Sequence, residues 1–577
     1  MALSRLWNDD ILHDILDHLA PSGFPATPQD RPGLIALAVC ARVSKLFYGS
    51  AVQVLWREVD SLAIILSILT PPLLRTESTH QRTFALVGAI PDPVYARFQY
   101  YASRIRRLIH SAERDRIQPA VLVELQRRAG GEPLFPNLKS LFWCQRTAPD
   151  VSEIVPLVSP SLRELCISEI GSQASFVPPP AQSSFSQFIH TLSAAAPSIE
   201  TLTLSGYIDP SFVLCVSELK QLRALNIINF AQRGFGAGYL PVIRSCAALS
   251  HLRELGINLS GDGVHHASAL AATPADGVDP TSEGDFTGFN SLRSLRVHGS
   301  LALVSRFISH VASAELASFG VFVPHPDRFQ DYHACLSTLC TRFADSLRVV
   351  RFSGTWTGTL ASLPRPMDIL APLLRLPQLE EVCILSGTGV ASTLTAADTL
   401  AIAQAWPRLR ELKLLYQSVP AALPVDALAV FAVHCPRLRA LWLASVDLRG
   451  VGSRDLGACQ ASSHGLKHIW LPGDVASADV HRVAEFVDRI FPSLDPRPVA
   501  LPWHPGQVEG GWERLLVCLR ELQTARRAGA PPQLTQNPGW MYDVAGWARS
   551  TIKMAGAYKL HIPAADSCRP IEPSSAL

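Results

Sequence analysis

The sequence lacks the short motifs that mark the common classes of enzyme. It contains no G-x-S-x-G, no H-E-x-x-H and no protein-kinase motif set. A glycine-rich stretch at residues 233–238 has neither the Lys-Ser/Thr of a P-loop nor the glycine spacing of a dinucleotide-binding turn. We therefore expect a chain that is not an enzyme and holds no cofactor. A hydrolase or nucleotide-dependent site assembled only by folding stays an open alternative.

The sequence also lacks an excess of either charge and any long apolar run. Its 577 residues carry 51 basic and 49 acidic side chains, a formal charge of +2. This balance gives no global argument for a nucleic-acid or anionic-membrane partner. The longest apolar stretch, residues 62–69, is far below the ~20 residues that a membrane-spanning helix requires. With 48% hydrophobic residues the chain is globular, and we expect neither membrane nor nucleic-acid binding.

No pair of the twelve cysteines has the C-x-x-C spacing of a metal or redox site. The cysteines are scattered, and several lie inside the repeat pattern or at helix ends beside proline, where a small apolar side chain fits. Free structural thiols are therefore the prediction, with no metal site. Free thiols are typical of a reducing compartment, so we expect the cytoplasm, the nucleus or both.

What the sequence has in abundance is one apolar pattern, L-x-x-L-x-L, which recurs twelve times at steps of 23 to 40 residues. Residues two apart point to the same face of a strand, so the second and third positions predict one short buried strand per copy. Helical spacing follows in many copies. The copies are Leu138/Leu141/Trp143, Leu162/Leu165/Ile167, Ile199/Leu202/Leu204, Leu222/Leu225/Ile227, Leu252/Leu255/Ile257, Leu292/Leu295/Val297, Leu316/Phe319/Val321, Leu347/Val350/Phe352, Leu379/Val382/Ile384, Leu409/Leu412/Leu414, Leu438/Leu441/Leu443 and Leu466/Ile469/Leu471.

A strand plus a helix cannot bury its apolar side alone, so stacked neighbours are needed to form one continuous core. The array resembles the leucine-rich repeat family over residues 131–500, although the Asn or Cys that usually follows the core motif is mostly missing. The fold class predicted is α/β, a solenoid of parallel strands and helices. Residues 61–130 are predicted as a helical linker or N-terminal cap, and residues 501–577 as a C-terminal cap helix with a loosely ordered tail.

Residues 1–60 predict a small module of three helices, with a helix start at Asn8-Asp9-Asp10 and a break at Pro21. The segments D-I-L-H-D-I-L-D-H-L, I-A-L-A-V-C-A-R-V-S-K-L-F-Y and A-V-Q-V-L-W-R-E-V resemble the F-box motif, in the form that precedes repeat arrays in many fungal proteins. The usual Leu-Pro opening is replaced by Trp7-Asn8-Asp9-Asp10, and a proline-rich insertion separates the first two helices.

The F-box resemblance implies that the module binds a Skp-type adaptor of a cullin complex through apolar side chains. An N-terminal cap over the open end of the repeat core is the alternative, since solenoids need such a unit. The adaptor-binding residues that the resemblance implies are Ile11, Leu12, Ile15, Leu16, Leu19, Val39, Leu46, Phe47, Leu55 and Trp56.

In each predicted strand the residue between the second and third apolar positions points away from the core. From residue 296 onward these residues and their neighbours are mainly basic and aromatic, types that are enriched in interface hot spots. We expect them to bind a target protein with acidic and apolar features, unless Trp442 and Trp470 are buried under the C-terminal tail. The predicted target-binding residues are Arg296, His298, Arg351, Lys413, Trp442, His468 and Trp470.

Together these expectations describe a substrate-recognition subunit of a cullin-RING (Skp-cullin-F-box) ubiquitin ligase, which binds an unknown target protein. The alternative is a leucine-rich-repeat scaffold or inhibitor protein without a link to ubiquitylation.

Overall fold

The structure is a computed structural model. It describes residues 9–20, 30–77, 81–145, 153–169, 183–205, 214–228, 239–259, 286–323, 327–354, 356–357, 364–390, 394–418, 423–425, 427–443, 446–448, 451, 463–471, 480–495 and 510–528.

Fifteen helices are present in the described residues. The helices are α1 (Asp9–Asp17), α2 (Arg31–Val43), α3 (Lys45–Leu55), α4 (Leu62–Leu66), α5 (Asp92–Ala102), α6 (Pro119–Ala129), α7 (Ser183–Ala195), α8 (Tyr239–Ala247), α9 (Leu301–His310), α10 (Phe329–Arg342), α11 (Pro366–Leu370), α12 (Ala396–Ala405), α13 (Ala427–His434), α14 (Val480–Ile490) and α15 (Gly510–Ala528). Short 3-10 turns span Ser67–Leu69, Val155–Leu157, Val216–Glu218 and Leu373–Arg375.

Most strands are only four to six residues long, and the shortest have two. The strands are β1 (Glu58–Val59), β2 (Leu73–Glu77), β3 (Arg82–Leu86), β4 (Arg107–Ser111), β5 (Asp115–Ile117), β6 (Ser140–Gln145), β7 (Glu164–Glu169), β8 (Thr201–Ser205), β9 (Ala224–Ile228), β10 (Glu254–Asn258), β11 (Ser294–His298), β12 (Ser318–Phe322), β13 (Asp327–Arg328), β14 (Val349–Gly354), β15 (Trp356–Thr357), β16 (Glu381–Val390), β17 (Glu411–Ser418), β18 (Leu423–Pro424), β19 (Ala440–Leu443), β20 (Val446–Asp447) and β21 (His468–Trp470).

The chain divides into two compact units. Unit 1 holds residues 1–359 with 369–379 and 386–388, and unit 2 holds residues 360–368, 380–385 and 389–577. The parallel strands of unit 1 follow the order β1-β4-β6-β7-β8-β9-β10-β11-β12-β14, and those of unit 2 follow β16-β17-β19-β21. Helices or 3-10 turns separate most successive strands that the structure describes in each unit, as in an α/β leucine-rich-repeat solenoid. The predicted fold class is confirmed.

All twelve predicted copies of the apolar pattern lie on strands. The second residue of every copy is within a strand, and the first residue of every copy is at most 1% exposed. Registers such as Leu225↔Leu255↔Leu295 place equivalent residues side by side. A one-residue slip would turn these leucines to the opposite face of the sheet, so the pattern specifies the register.

One backbone contact recurs at the entrance to the strands. The carbonyl of the residue that precedes a strand accepts hydrogen bonds from two successive N–H groups of the next repeat, at N···O distances of 2.7–3.1 Å. One carbonyl oxygen in each such repeat therefore accepts hydrogen bonds from two N–H groups of the next repeat. Without this acceptor, those backbone N–H groups would lack hydrogen-bond partners in a buried turn. The accepting residues are Arg57, Arg106, Lys139, Arg163, Glu200, Arg223, Arg253, Arg293 and Ala317 in unit 1 and Glu380, Arg410 and Arg439 in unit 2.

The prediction that residues 61–130 are helical is wrong in part. This segment contains strands β2 to β5 beside helices α4 to α6, and β4 is part of the main sheet of unit 1. The main sheet starts earlier still, because β1 pairs with β4 through Val59↔Leu108. The 1–60 and 61–130 segments therefore already contribute strands to the repeat sheet.

Two copies of the repeat were missed because a polar residue occupies the third position. Ile105/Leu108/His110 and Trp56/Val59/Ser61 follow the same spacing, and Leu108 lies opposite Leu141. His110 is 3% exposed and its ring lies 4.1 Å from that of Trp143, centroid to centroid. A search for apolar residues along the sequence overlooks His110, because this buried histidine occupies a position that is apolar in the other copies of the repeat.

Other predictions concern parts of the chain at its end and between repeats. Helix α15 lies at residues 510–528, within the segment predicted to form a C-terminal cap. The predicted tail beyond residue 528, the glycine-rich stretch at 233–238 and the proline-rich insertion at 21–29 lie outside the described residues.

The buried imidazole of His110 predicts an acid-sensitive core. Burial lowers the pKa of His110 from 6.5 to about 4, against an opposing effect of Asp115. Because the unfolded chain binds this proton more readily, stability falls as the pH decreases from about 6.5 to about 4. The His110→Phe variant removes the titrating group, so its melting temperature should fall less than that of the wild type between pH 7 and pH 5. Circular dichroism melts at the two pH values test this.

The control for this experiment is His251→Gln, at an exposed histidine that follows helix α8. We expect this variant to retain the acid sensitivity of the wild type. If His110→Phe loses stability with acid as steeply as the wild type does, the buried histidine is not the cause.

Candidate protein-binding surfaces

The N-terminal helices form a small core of their own. Leu12 and Leu16 of α1, Leu37 of α2 and Ala51 and Val54 of α3 are buried against one another. Ser44 adopts an extended conformation that ends α2, and its hydroxyl accepts a hydrogen bond from the N–H of Phe47 at 3.3 Å, which starts α3. A short polar residue thus produces the sharp turn that folds α3 back onto α2.

The module is attached to the rest of unit 1 through α3 and the residues that follow it. Arg57 forms an ion pair with Asp17 at 2.5 Å, and the ring of Trp56 packs on Tyr101 with centroids 4.6 Å apart. The hydroxyls of Tyr48 and Tyr101 are 3.3 Å apart. Strand β1 follows directly, so the helical module and the first strand of the sheet are continuous.

The predicted adaptor-binding residues separate into an inner and an outer group. Leu12 and Leu16 are buried, and Leu19, Phe47, Leu55 and Trp56 are half-buried. The outer group is exposed: Ile11, Ile15, Val39 and Leu46. The inner residues hold the module together, so direct contact with a partner depends on the outer ones.

Two exposed residues on α2 were missed by the prediction. Ile35 and Val43 are 56% and 67% exposed, and they lie four residues before and after Val39 on one helix face. Ile11 and Ile15 are likewise four apart on α1. The i, i+4 spacing was present in the sequence, but only burial shows which apolar stripe faces away from the core. We call Ile11, Ile15, Ile35, Val39, Val43 and Leu46 the apolar stripes.

Exposed apolar side chains are concentrated in this module. Among the described residues, fifteen large hydrophobic side chains are exposed, and seven of them lie between residues 11 and 48. A unit that only caps a solenoid presents a polar outer face. Clustered exposed aliphatic residues are instead typical of a protein-binding site.

In unit 1 two predicted target-binding arginines flank a glycine on the open face of the sheet, opposite the buried leucines. Arg296, Gly320 and Arg351 are neighbours on strands β11, β12 and β14. A Cβ on Gly320 would lie 3.2 Å from Cγ of Arg296 and 4.0 Å from Cβ of Arg351. Arg296 also donates to Oδ1 of Asn226 at 3.3 Å. Because Gly320 has no side chain, the sheet surface between the two exposed arginine side chains is not covered by a residue of β12.

His298 lies one step further along β11 on the same open face. Its ring contacts Phe322 with centroids 5.1 Å apart. Burial and the neighbouring Arg296 charge lower the pKa of His298, so the imidazole is neutral near pH 7. The positive charge of this surface therefore comes from the two arginines.

In unit 2 the predicted residues form an aromatic cluster. Lys413, Trp442 and Trp470 lie side by side on β17, β19 and β21. The ammonium of Lys413 is 4.2 Å from the ring centroid of Trp442 and 2.5 Å from Oε1 of Glu411. Trp442 is only 6% exposed, packed with Leu415 and beside Trp470.

The expected exposure of Trp442 is therefore not found, and the described residues that pack with it, Leu385, Leu415 and Trp470, lie within the repeats. Trp470 is half-buried and His468 is exposed. A partner can contact His468, Trp470 and Lys413 directly, whereas Trp442 is buried beside Lys413 and Trp470. Strand alternation predicted the shared face, but not how completely neighbouring side chains cover the central ring.

A basic row at the strand entrances was not predicted. Many residues that supply the recurring backbone acceptor are Arg or Lys, and several form ion pairs with acidic neighbours. Arg163 and Arg223 lie 3.2 Å and 3.8 Å from Glu200, and Arg410 lies 3.2 Å from Glu380. Pairing neutralises much of this charge, which weakens the attraction of the row for an acidic partner. Its signal in the sequence is the residue after the first leucine of each copy.

The described residues contain no disulfide between cysteines. Burial raises the pKa of Cys246 and of Cys435 to about 12, which keeps both thiols protonated near pH 7. Among the helices that the structure describes, none combines the length and the apolar content that crossing a membrane requires.

Comparison with known proteins gives similarity only at the level of structure. No protein-family model matches the chain. No curated protein matches it in sequence.

Several solved structures match with low scores. A chain of the yeast complex of Rad7 and Elc1 is 14% identical, with 80% of this chain and 92% of that chain covered and a TM-score of 0.32. A Bacteroides fragilis protein is 13% identical over 48% of this chain and 68% of its own, with a TM-score of 0.26. The LRR ectodomain of the Arabidopsis thaliana receptor kinase GASSHO1/SCHENGEN3 is 10% identical over 67% and 53%, with a TM-score of 0.19. Similarity at this level carries no argument about function.

The two tryptophans of unit 2 should differ in their effect on stability. Trp442→Ala should reduce the free energy of unfolding by about 3–5 kcal/mol, because it leaves a cavity among buried side chains. Trp470→Ala should cost less, since solvent already reaches half-buried Trp470. Urea unfolding followed by circular dichroism measures both, and equal losses would contradict the assignment of Trp442 as the supporting residue.

Proposed function

We propose that this chain is the substrate-recognition subunit of a cullin-RING (Skp-cullin-F-box) ubiquitin ligase. The N-terminal module binds a Skp-type adaptor, which connects it to the cullin complex, and the repeats bind a target protein. The observation that carries the proposal is the set of apolar stripes on a module whose sequence resembles the F-box motif. The chain itself performs no chemistry in this proposal.

The division of the module into inner and outer residues supports adaptor binding. The core residues Leu12, Leu16 and Leu37 are buried in a cluster that does not include the stripes. Moving one large aliphatic side chain from water into an interface contributes about 1.5–3 kcal/mol before the costs of association. Several such side chains on three helices are enough for a specific complex, whereas left uncovered they favour aggregation.

The mechanism is positional. A subunit that holds the adaptor at one end and the target on its repeats raises the effective concentration of target lysines near the transferring enzyme. The reduced cysteines of the described residues suit the cytoplasm or the nucleus, where such a complex would act. The proposal includes neither nucleic acid nor membrane as a partner.

The target is expected to carry acidic and apolar features. Arg296 and Arg351 in unit 1 offer two cations to carboxylates, and exposed Arg can form bidentate pairs with them. In unit 2, half-buried Trp470 beside Lys413 offers an aromatic surface with a charged rim, a combination found at interface hot spots.

A charge placed on an apolar stripe should abolish adaptor capture. Val39→Glu introduces a carboxylate that a partner would have to bury, which we expect to weaken adaptor binding at least about tenfold, since hot-spot losses exceed ~2 kcal/mol. Co-expression of the full chain with a Skp-type adaptor, followed by pull-down and titration of the purified pair, measures the loss.

The matched control is Val123→Glu on α6, where the valine is 62% exposed but lies outside the module. It should retain the adaptor. If both variants bind it equally, or if the folded wild-type chain captures no adaptor, the ubiquitin-ligase proposal fails. The chain is then better explained as a repeat scaffold or inhibitor whose N-terminal helices only cap the array.

Reversing charge on the open face of unit 1 should remove target binding without affecting the adaptor. The double variant Arg296→Glu/Arg351→Glu should lose most of the ubiquitylated proteins that the wild type enriches in cells, because its surface now repels acidic partners. The control is Arg97→Glu/Arg306→Glu, two exposed arginines on helices α5 and α9. Quantitative mass spectrometry of ubiquitin remnants compares the three chains, and equal enrichment would exclude this surface.

A further inference from the structure

Three side chains of different chemistry meet between two consecutive repeats of unit 1. They are His190, Cys215 and Glu218, and one potential ligand atom from each lies within 4.8 Å of the others. Nδ1 of His190 is 2.7 Å from Oε2 of Glu218. This group lies outside both the apolar stripes and the open face of the sheet, and the proposed function makes no use of it.

Local geometry explains why the chain brings them together. Cys215 immediately precedes the 3-10 turn Val216–Glu218, and residues three apart in such a turn lie one above the other. Cys215 and Glu218 therefore point to the same side. His190 comes from α7 of the preceding repeat, and the parallel pairing of β8 with β9 fixes the distance between that helix and the turn.

The ligand set is that of a zinc site with one open position. We propose that His190, Cys215 and Glu218 bind a Zn²⁺ ion, with water as the fourth ligand. Imidazole nitrogen, thiolate sulfur and carboxylate oxygen are the three donor types that Zn²⁺ accepts in proteins. The thiolate disfavours Mg²⁺ and Ca²⁺, which prefer oxygen ligands. The Cys215 thiol releases its proton to solvent when the metal binds.

The distances require only small rearrangements. Tetrahedral zinc places its ligand atoms roughly 3–4 Å from one another, so a group that spans up to 4.8 Å must close by about 1 Å. The side chains of His190 and Glu218 are 62% and 34% exposed, which leaves their outer torsions free to adjust. The same exposure gives the ion an open path from solvent.

A bound ion would link α7 of one repeat to the turn of the next on the side of the sheet that carries the helices. The three residues come together only in the folded chain, so metal binding would stabilise the folded state by mass action. We therefore assign the site a structural role in holding two neighbouring repeats together.

The test uses the full-length chain, stripped of metal with a chelator and titrated with Co²⁺ as a spectroscopic probe. Thiolate coordination produces a charge-transfer band, and strong visible bands indicate tetrahedral geometry. We expect a saturable spectrum that Zn²⁺ displaces and a melting temperature that rises with Zn²⁺. Cys215→Ser should lose the charge-transfer band and the rise in melting temperature. His190→Gln and Glu218→Gln should each weaken Zn²⁺ binding at least about tenfold.

The control variant is Cys144→Ser, at a half-buried cysteine of β6 outside the group. It should keep the spectrum, the affinity and the melting behaviour of the wild type, and circular dichroism verifies that each variant folds. If Cys215→Ser keeps the charge-transfer band, or if the wild type takes up no Co²⁺ or Zn²⁺, the site does not exist and His190 and Glu218 form an ion pair only. These readouts need no adaptor, so they are independent of the proposed function.

Discussion

The structure depends on one repeated backbone contact, in which the carbonyl before each of twelve described strands accepts two N–H groups from the next repeat. A parallel strand of four to six residues cannot satisfy its own polar groups, and each repeat has too little apolar surface to fold alone. The carbonyl fixes where the next strand begins, and the buried leucines fix which face it presents. The same constraint extends to β1 and β4, where the apolar pattern itself weakens.

Because α3 leads directly into β1, a module of three short helices can be attached to the sheet while part of its surface remains open to a partner. Such a module buries little surface by itself, so attachment to a larger unit provides stability that its own core does not. Trp56, Arg57 and β1 attach the module to the rest of unit 1, while Leu12 and Leu16 form its internal core. The apolar stripes are needed for neither purpose, which is why we attribute them to a partner.

The repeat scaffold places different chemistry on its different surfaces. On the open face of unit 1, Gly320 separates Arg296 from Arg351, whereas unit 2 places Lys413 and Trp470 around a buried Trp442. On the helix side of unit 1, His190, Cys215 and Glu218 form a group of potential metal ligands. Short strands with a fixed core allow this variety because the residues between the leucine positions lie on the face of the sheet opposite the main core.

The repeat, its strands, its register and the presence of N-terminal helices could be predicted from the sequence, because burial of Leu at fixed spacing is a local and periodic requirement. The sequence could not show that His110 and Ser61 occupy core positions, since a polar residue in the pattern is acceptable only when a neighbouring repeat supplies its surroundings. Nor could it show that Ile15 is exposed and Leu16 buried, or that Trp442 is buried and Trp470 only half-buried. Spacing along the sequence could not identify the proposed zinc ligands, because His190 and Cys215 come together only through the pairing of neighbouring strands. These points follow from the fold, since exposure and ligand geometry depend on which residues of other repeats lie alongside.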